Sequence, residues 1–465
     1  MRLVFAGADR TVTGSCHIVE VNGVRIVLDM GMYHGPRQQA QALNRWLPPG
    51  VLSADAVILS HSHLDHCGKL PVVVRAGFSG PIYCTEPTAA MTRIVLHDAA
   101  HIQQEDSEYL NRRQTDPGQP GIEPLYSPDD VERTLRLMRR VRYGQRVEIA
   151  PKTHFTLFDA GHILGSSWVL LEWEEASGTP RSLMYTADVG RYSTPIIRDP
   201  QPVERPVDYV ITESTYGARQ HAPMNSVAPQ LLDAVRRCIQ RRSRLLIPAF
   251  AVGRTQSVLW YLQRFIQNGD IPDIPLYVDS PMGSEVSDVH SRFPEYYDEE
   301  TAGAIGKHDL FGTSRVNFVR TRQESKHVNS DHGPCVIIAS SGTCEFGRIL
   351  HHLKVSLERS QDMVLFVGFT PANTLGRRLQ DGQKRVRIYG RWYDVACEVR
   401  TIHGLSAHAD GDELLRFLAP ATGPHTVFHV VHGEAEQADA LAERLRAAGA
   451  RHIVVPAMES AVTAW

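Results

Sequence analysis

Short apolar runs separated by polar turns set the rhythm of the chain. Arg25-Ile-Val-Leu28, Ala56-Val-Ile-Leu59, Phe155-Thr-Leu-Phe158, Trp168-Val-Leu-Leu171, Leu183-Met-Tyr185 and Val427-Phe-His-Val-Val431 have the length and content of buried strands. Met1-Arg-Leu-Val-Phe-Ala-Gly7 reads as a first strand that starts at once. Many runs lead through a polar turn into a helical pattern, and that mixture predicts a layered α/β or α+β sandwich. From about residue 208 to 395 the alternation becomes regular. Leu245-Leu-Ile247, Leu276-Tyr-Val278, Val336-Ile-Ile338 and Val364-Leu-Phe366 read as strands. Arg254 to Gln267 reads as a helix with Val258, Leu259, Leu262, Phe265 and Ile266 on one face, and a further helix is expected at Arg348–Lys354. This stretch predicts a second α/β unit with a mostly parallel sheet. The last 70 or so residues return to the first texture, with a helix over 435–448 stopped by Gly449. The Pro- and Gly-rich stretch Gln114–Pro124 is expected to be a surface loop.

Reactive residues fall at the ends of these runs. Asp29 ends the first, and His61 comes two residues after Leu59. His162 follows Leu157-Phe-Asp-Ala-Gly161, and Asp188 follows Met184-Tyr-Thr-Ala187. Glu213 ends Tyr209-Val-Ile-Thr212, and His432 ends Phe428-His-Val-Val431. Polar groups at the carboxyl ends of strands gather along one sheet edge, a common location for a site. The densest group, His61-Ser-His63-Leu-Asp65-His66, offers four metal-binding side chains in six residues. Imidazole and carboxylate without thiolate suit Zn²⁺ or Mn²⁺ in a hydrolytic centre. His61 and His63 with His162 make one ligand set, Asp65 and His66 with His432 a second, and Asp188 has two oxygens with which to bridge.

Composition adds limits. The 465 residues exceed one ordinary core, so two domains are expected. An apolar content of 42% and a charged content of 22% suit a globular chain, and no run approaches the ~20 apolar residues of a membrane helix. Membrane association is not expected. Seven dispersed cysteines, with no Cys-x-x-Cys pair and no signal-peptide core, point to free thiols and a cytoplasmic location. Cys67, beside a proposed ligand, reads as a small packed side chain. A net charge of −3 means that charge for any nucleic acid must be local, in a groove.

The His61–His66 motif, with Gly161-His162 and Ala187-Asp188 at this separation, resembles the metallo-β-lactamase-fold hydrolases. Glu213 in Thr-Glu-Ser-Thr-Tyr-Gly, His408 in Gly-Leu-Ser-Ala-His-Ala-Asp and His432 in Val-His-Gly-Glu resemble motifs A, B and C of the β-CASP branch. That branch includes the cleavage-and-polyadenylation endonuclease subunit, its prokaryotic homologues and the J-type ribonucleases. The resemblance implies an α/β (α+β) fold: a four-layer αββα metallo-β-lactamase domain over 1–207 and 396–465, with an α/β β-CASP domain inserted over 208–395. It also implies two Zn²⁺ (or Mn²⁺) and endoribonuclease action on single-stranded RNA, with 5′–3′ exonuclease activity and a homodimer as further options. His432 at motif C favours RNA over DNA. His408, Glu213 and Asp65 form the expected catalytic set. His408 would protonate the leaving oxygen, with Glu213 orienting and charging it. Asp29 is expected to support the metal loop from behind.

Three loops between strand and helix are expected to meet phosphate: the one leading to Arg254, the one carrying Ser340, Ser341 and Arg348, and the one leading to Arg377. The basic run Arg236, Arg237, Arg241, Arg242 and Arg244 reads as a solvated helix face. Relative to the family pattern, an N-terminal RNA-binding extension and a J-type C-terminal domain are not expected here, and Glu324–Asn329 matches the usual cap element loosely. The rival readings are a DNA nuclease, a small-ester or thioester hydrolase on the same fold, and a non-catalytic subunit of an RNA-processing complex.

Overall fold

The computed structural model describes residues 1–113, 121–305, 316–331, 333–368, 370–371, 373–458 and 460–463. Residues 114–120 of the expected surface loop lie outside the described residues. The chain divides into two compact units, one of Met1–Tyr192, Asp199–Gln220 and His408–Trp465, the other of Ser193–Arg198 and His221–Ala407.

The first unit contains two seven-stranded sheets. One runs, in spatial order, through strands 461–463, Arg2–Phe5, His17–Val21, Val24–Leu28, Ala56–Ile58, Ile82–Cys84 and Met138–Arg140. The other runs through His452–Val454, Val427–Val430, Tyr209–Thr212, Pro180–Tyr185, Ser167–Glu174, Thr153–Asp159 and Arg146–Ala150. Alternation along the strands decides what each face meets. Leu3, Phe5, Val19, Ile26 and Leu28 of the first sheet pack against Phe155, Leu157, Val169, Leu171 and Ile211 of the second. The opposite side chains of the second sheet, among them Trp168, Met184, Val210 and Phe428, are covered by Leu414 and Phe417 of helix Gly411–Leu418 and by Leu441 and Leu445 of helix Ala435–Ala447. Helices Leu70–Arg75 and Glu86–Arg113 flank strand Ile82–Cys84 of the first sheet, and Pro128–Leu137 leads into its edge strand Met138–Arg140. The result is the four-layer αββα order.

The second unit is built on one six-stranded sheet, in the order Val316–Phe318, Leu276–Asp279, Cys335–Ala339, Arg244–Pro248, Met363–Phe366 and Glu398–Thr401. Every pairing in it is parallel. Helix Arg254–Gln267 has the expected bounds, and its five predicted core residues are buried. A small antiparallel ribbon, Arg385–Ile388 with Arg391–Asp394, lies outside the main sheet.

The borders between the units differ from those read off the texture of the sequence. Residues 208–220 fall in the first unit, because strand Tyr209–Thr212 pairs in parallel with both Leu183–Tyr185 and Val427–Val430. Residues 396–407 fall in the second, because Glu398–Thr401 extends its parallel sheet. Among the described residues, no helix is long and apolar enough to cross a membrane. All seven cysteines are buried and unpaired.

Candidate metal centre

Strand Ala56–Ile58 is buried along its whole length and delivers Leu59, Ser60 and His61 into the interior. His63 then caps the single-turn helix Leu64–Cys67, which turns Asp65 and His66 back toward His61. The neighbouring loop holds this turn by its backbone: Ser15 N–H donates to Asp65 O (2.8 Å), and Met30 N–H to His66 O (2.8 Å). A Cβ at Gly31 would lie 1.6 Å from Asp65 O, so only glycine lets the two loops approach this closely. His162 and Asp188 arrive by a similar crossing. Gly190 N–H donates to Ala160 O (2.8 Å), and a Cβ there would lie 1.7 Å from Gly161 O. His432 sits in the left-handed region at φ 45°, held by its N–H donating to Ala8 O at 2.7 Å.

These crossings gather all seven expected ligands of the first unit into two groups. His61, His63, His162 and Asp188 form one, and Asp65, His66 and His432 the other, with candidate ligand atoms within 4.8 Å of one another in each. Asp188 faces both. Its Oδ2 is 3.4 Å from His61 Nε2 and 3.5 Å from His162 Nε2, while Oδ1 is 3.2 Å from His66 Nε2 and 3.5 Å from His432 Nδ1. Despite that proximity Oδ1, buried in the fold, has no hydrogen-bond partner of acceptable geometry. Ring nitrogens also face ring nitrogens: His61 Nε2 and His63 Nδ1 at 3.0 Å, His63 Nδ1 and His162 Nε2 at 3.2 Å, and His66 Nε2 and His432 Nε2 at 3.2 Å.

Electrostatics favours lone pairs in the first group. Burial, then the neighbouring His61, pushes His63 down to about 3, and burial, then His408, lowers His162 well below the usual imidazole range. Burial raises a carboxylate, yet the surrounding imidazoles, led by His432 and His66, hold Asp188 well below its ordinary value. Buried, mutually facing nitrogens around a low-pKa carboxylate are the donor set of a cation site, so the residues present fit a metal centre.

Asp29 lies beneath the second group. It accepts from Ser60 N–H (2.7 Å), Ser60 Oγ (2.7 Å) and Tyr185 OH (2.7 Å), and pairs with His66 Nδ1 at 2.7 Å. The Nδ1 contact turns His66 Nε2 toward the cluster. Ser60 Oγ also lies 3.0 Å from His61 Nδ1. Sequence reasoning did not find Ser60 and Tyr185. Tyr185 ends a predicted strand three residues before Asp188, and that position was its available signal.

His408 and Glu213 adjoin the cluster. His408 Nδ1 is 3.3 Å from Glu213 Oε1 and 4.0 Å from Asp188 Oδ2. Glu213 is fixed by Val189 N–H (2.6 Å) and Thr215 N–H (3.3 Å). Burial disfavours the His408 cation, but the carboxylates of Glu213 and Asp188 outweigh it and hold its pKa up to about 9. His408 precedes helix Gly411–Leu418, whose cap is Asp410 in a reciprocal box with Glu413. The cap is therefore supplied by Asp410, and His408 is left to face the cluster. Tyr216, which the sequence reading also passed over, lies 6.1 Å from the His408 ring, with Arg219 6.0 Å above it.

The expected phosphate residues all belong to the second unit. Arg254 opens helix Arg254–Gln267 and Arg377 lies in helix Leu375–Gln380, the loops before both leaving the carboxyl edge of the parallel sheet, as does the Ser340–Ser341 loop. Ser340 Oγ donates to Ser280 Oγ (3.0 Å), Ser341 Oγ to Phe346 O (3.2 Å), and Arg377 pairs with Asp381 (2.9 Å). Arg348 differs from expectation. Its guanidinium is turned inward onto buried Asp279 and also donates to Val319 O (2.9 Å) and Arg320 O (2.8 Å), because a buried carboxylate requires a counter-charge. Arg244 likewise leaves the basic run for the interior, where Nη2 donates to Asn329 Oδ1 at 3.2 Å.

Residues 18–190 match a metallo-beta-lactamase superfamily domain, 255–379 a Beta-Casp domain, and 392–456 a Zn-dependent metallo-hydrolase RNA specificity domain. Ribonuclease TTHA0252 of Thermus thermophilus is 34% identical over 450 residues, covering 97% of this chain and 97% of that protein. Transcription termination factor FttA of Methanocaldococcus jannaschii is 30% identical, with 98% of this chain spanning 70% of the relative, and FttA of Cenarchaeum symbiosum is 29% identical, with 93% spanning 66%. A crystal structure of a protein of unknown function from Enterococcus faecalis shares the fold at a TM-score of 0.55 and 12% identity, covering 99% of both chains. Three domain matches in this order and a near full-length relative place the chain in the β-CASP ribonuclease family of the metallo-β-lactamase superfamily.

Proposed function

We propose that the chain is a metal-dependent ribonuclease that hydrolyses phosphodiester bonds of single-stranded RNA through two Zn²⁺ ions. The observation that carries this reading is Asp188, whose two oxygens each face a separate histidine-rich group, with the His408–Glu213 pair alongside. His61, His63 and His162 would hold one ion, Asp65, His66 and His432 the other, and Asp188 would serve both. When bound, the ions supply Lewis acidity toward the phosphoryl oxygens and lower the pKa of water. Asp29 keeps His66 Nδ1 occupied, so that Nε2 stays available as a ligand. His408 keeps its Nδ1 proton against Glu213, and the Nε2 edge of the ring protonates the departing oxygen. The named ribonuclease relative and the RNA-specificity match support RNA as substrate. Seven unpaired cysteines support a cytoplasmic location.

The test is cleavage of end-labelled RNA bearing 5′-triphosphate, monophosphate or hydroxyl ends, beside matched DNA and a thioester, with and without chelator. RNA cleavage that chelator abolishes and Zn²⁺ restores is expected, with two metal equivalents in protein purified without added metal. Preferential DNA cleavage, thioester turnover without RNA cleavage, or metal-free protein each defeats the reading.

A further inference from the structure

The ribbon of the second unit has two unlike faces. Val386 and Ile388, each 2% exposed, join the core beside Leu357, Leu375 and Leu379. The register sets Arg387 opposite Trp392 and Arg385 opposite Asp394 on the other face. Its turn is Tyr389-Gly390, both in the left-handed region at φ 48° and 83°, which projects the tyrosine. Trp392 is 56% exposed and Tyr389 63% exposed. Cations flank both rings: Arg385 lies 5.6 Å from the Trp392 centroid, and Lys354 of helix Ile349–Ser356 lies 5.7 Å from that of Tyr389. Within 384–394, Lys384, Arg385, Arg387 and Arg391 stand against a single carboxylate, Asp394. Tyr389 also meets the His351 ring at 5.6 Å, yet both aromatics keep more than half of their surface in water beside a cation, which packing explains poorly. They have the chemistry of a surface for single-stranded nucleic acid, where bases stack on π-faces and phosphates meet guanidinium groups. A duplex hides its base faces and offers the rings much less.

We propose that this ribbon is a second RNA-binding platform, separate in its residues from the metal cluster, which stacks unpaired bases on Trp392 and Tyr389 and pairs backbone phosphates with Arg385 and Arg387. Its ligand class rests on the ribonuclease reading above. The platform acts on binding alone, so it benefits RNA long enough to reach it and leaves the chemical step unchanged.

The experiment compares steady-state cleavage of a long unstructured RNA and of a tetranucleotide by the full-length metal-loaded protein and its Tyr389→Ala/Trp392→Ala double variant. KM for the long RNA is expected to rise ~10-fold or more, with kcat and tetranucleotide cleavage unchanged. The Tyr389→Phe/Trp392→Phe variant, which keeps the rings, is expected to restore the original KM. Arg387→Glu is expected to weaken long-RNA binding and flatten its salt dependence. An unchanged KM in the double variant, an equal loss on the tetranucleotide, or failure of the phenylalanine variant to restore binding overturns the proposal. If the unmodified protein cuts neither RNA, the ribonuclease reading fails separately. Fluorescence anisotropy with labelled oligouridine then decides the platform: binding lost in the double variant supports it, and binding indifferent to the variant overturns it.

Discussion

Asp188 in the first unit and Asp279 in the second are both buried carboxylates with histidine neighbours, but the hydrogens around them behave differently. Asp279 ends strand Leu276–Asp279 and receives the Ser325 hydroxyl, His352 Nε2–H at 2.7 Å and the Arg348 guanidinium. Burial lowers the pKa of His352, and its Nδ1 lies 2.9 Å from Asn329 Oδ1 and 3.4 Å from the Arg244 guanidinium. The contacts made to Asp279 each set a donor against an acceptor, so this carboxylate is satisfied without a ligand. Around Asp188 the ring nitrogens crowd one another instead, and Oδ1 is left without a hydrogen-bond partner. His63 Nδ1 is shared between His61 and His162, and His66 and His432 meet through like nitrogens. A neutral imidazole carries one N–H and one lone pair, so a nitrogen shared between two rings can serve both only by dividing one hydrogen or one lone pair. The same residue types thus satisfy one another's hydrogen bonds around Asp279 and, on the reading proposed above, coordinate ions around Asp188.

The largest effect tests the shared carboxylate. Asp188→Ala is expected to empty both ion positions and bring RNA cleavage to background, with elemental analysis as the readout. Two retained ions would remove Asp188 as the group common to both sets. Next comes His408→Ala, which should keep its metal content and lose ~10²–10⁴-fold in kcat. Near-normal turnover in that variant would take His408 out of the reaction.

Much of the first unit was legible because its site depends on local order. Four of its seven proposed ligands fall within six residues after one strand, and the others follow strand ends, so the pattern of apolar runs already pointed to one sheet edge. What escaped reading depends on partners distant in sequence. An arginine opening a helix reads as an anion ligand, and only the fold shows Asp279, 69 residues earlier, drawing Arg348 inward. Arg244 looked like part of an exposed run until Asn329 and His352 met it in the core. Ser60 and Tyr185 were invisible as supports because Asp29 lies 31 and 156 residues from them. Strand Tyr209–Thr212 has the texture of either unit, and its parallel pairing with Leu183–Tyr185 and Val427–Val430 assigns it to the first.

Two smaller effects sharpen the contrast. Asp279→Ala breaks a buried ion pair and should cost about 3–5 kcal/mol by denaturant unfolding, with two ions still bound. Loss of metal in that variant would undo the distinction between closed and coordinating clusters. Asp29→Asn keeps the shape but weakens the hold on His66, and is expected to reduce metal affinity by ~10–100-fold in a chelator competition. Unaltered affinity would mean that Ser60, Tyr185 and packing suffice to aim the ring.

The smallest effect concerns a third kind of buried charge. Lys69 is 1% exposed and donates from Nζ to Leu43 O (3.1 Å) and Trp46 O (2.8 Å), with the rings of Tyr33 and Trp46 within 5.7 Å. Two of its hydrogens meet carbonyls, but among the described residues no carboxylate pairs with it, and burial pushes its pKa down to about 8 from 10.5. The sign follows from proton counting. Between about pH 8 and 10.5 the unfolded chain binds the proton that the folded chain has released, so this residue makes stability rise with pH across that window and contributes no slope below it. The slope is at most about 1.4 kcal/mol per pH unit for one proton. Lys69→Met removes it, so the stability of the native sequence minus that of the variant, from urea unfolding at several pH values, should climb between pH 8 and 10.5 and stay level from pH 6 to 7.5. A flat difference throughout would mean that the two carbonyls and two rings solvate the ammonium as well as water does. Hydrogen bonds to carbonyls would then be enough to carry a buried charge, and the crowded ring nitrogens and partnerless Oδ1 of Asp188 would stand out more sharply as the mark of a cation site.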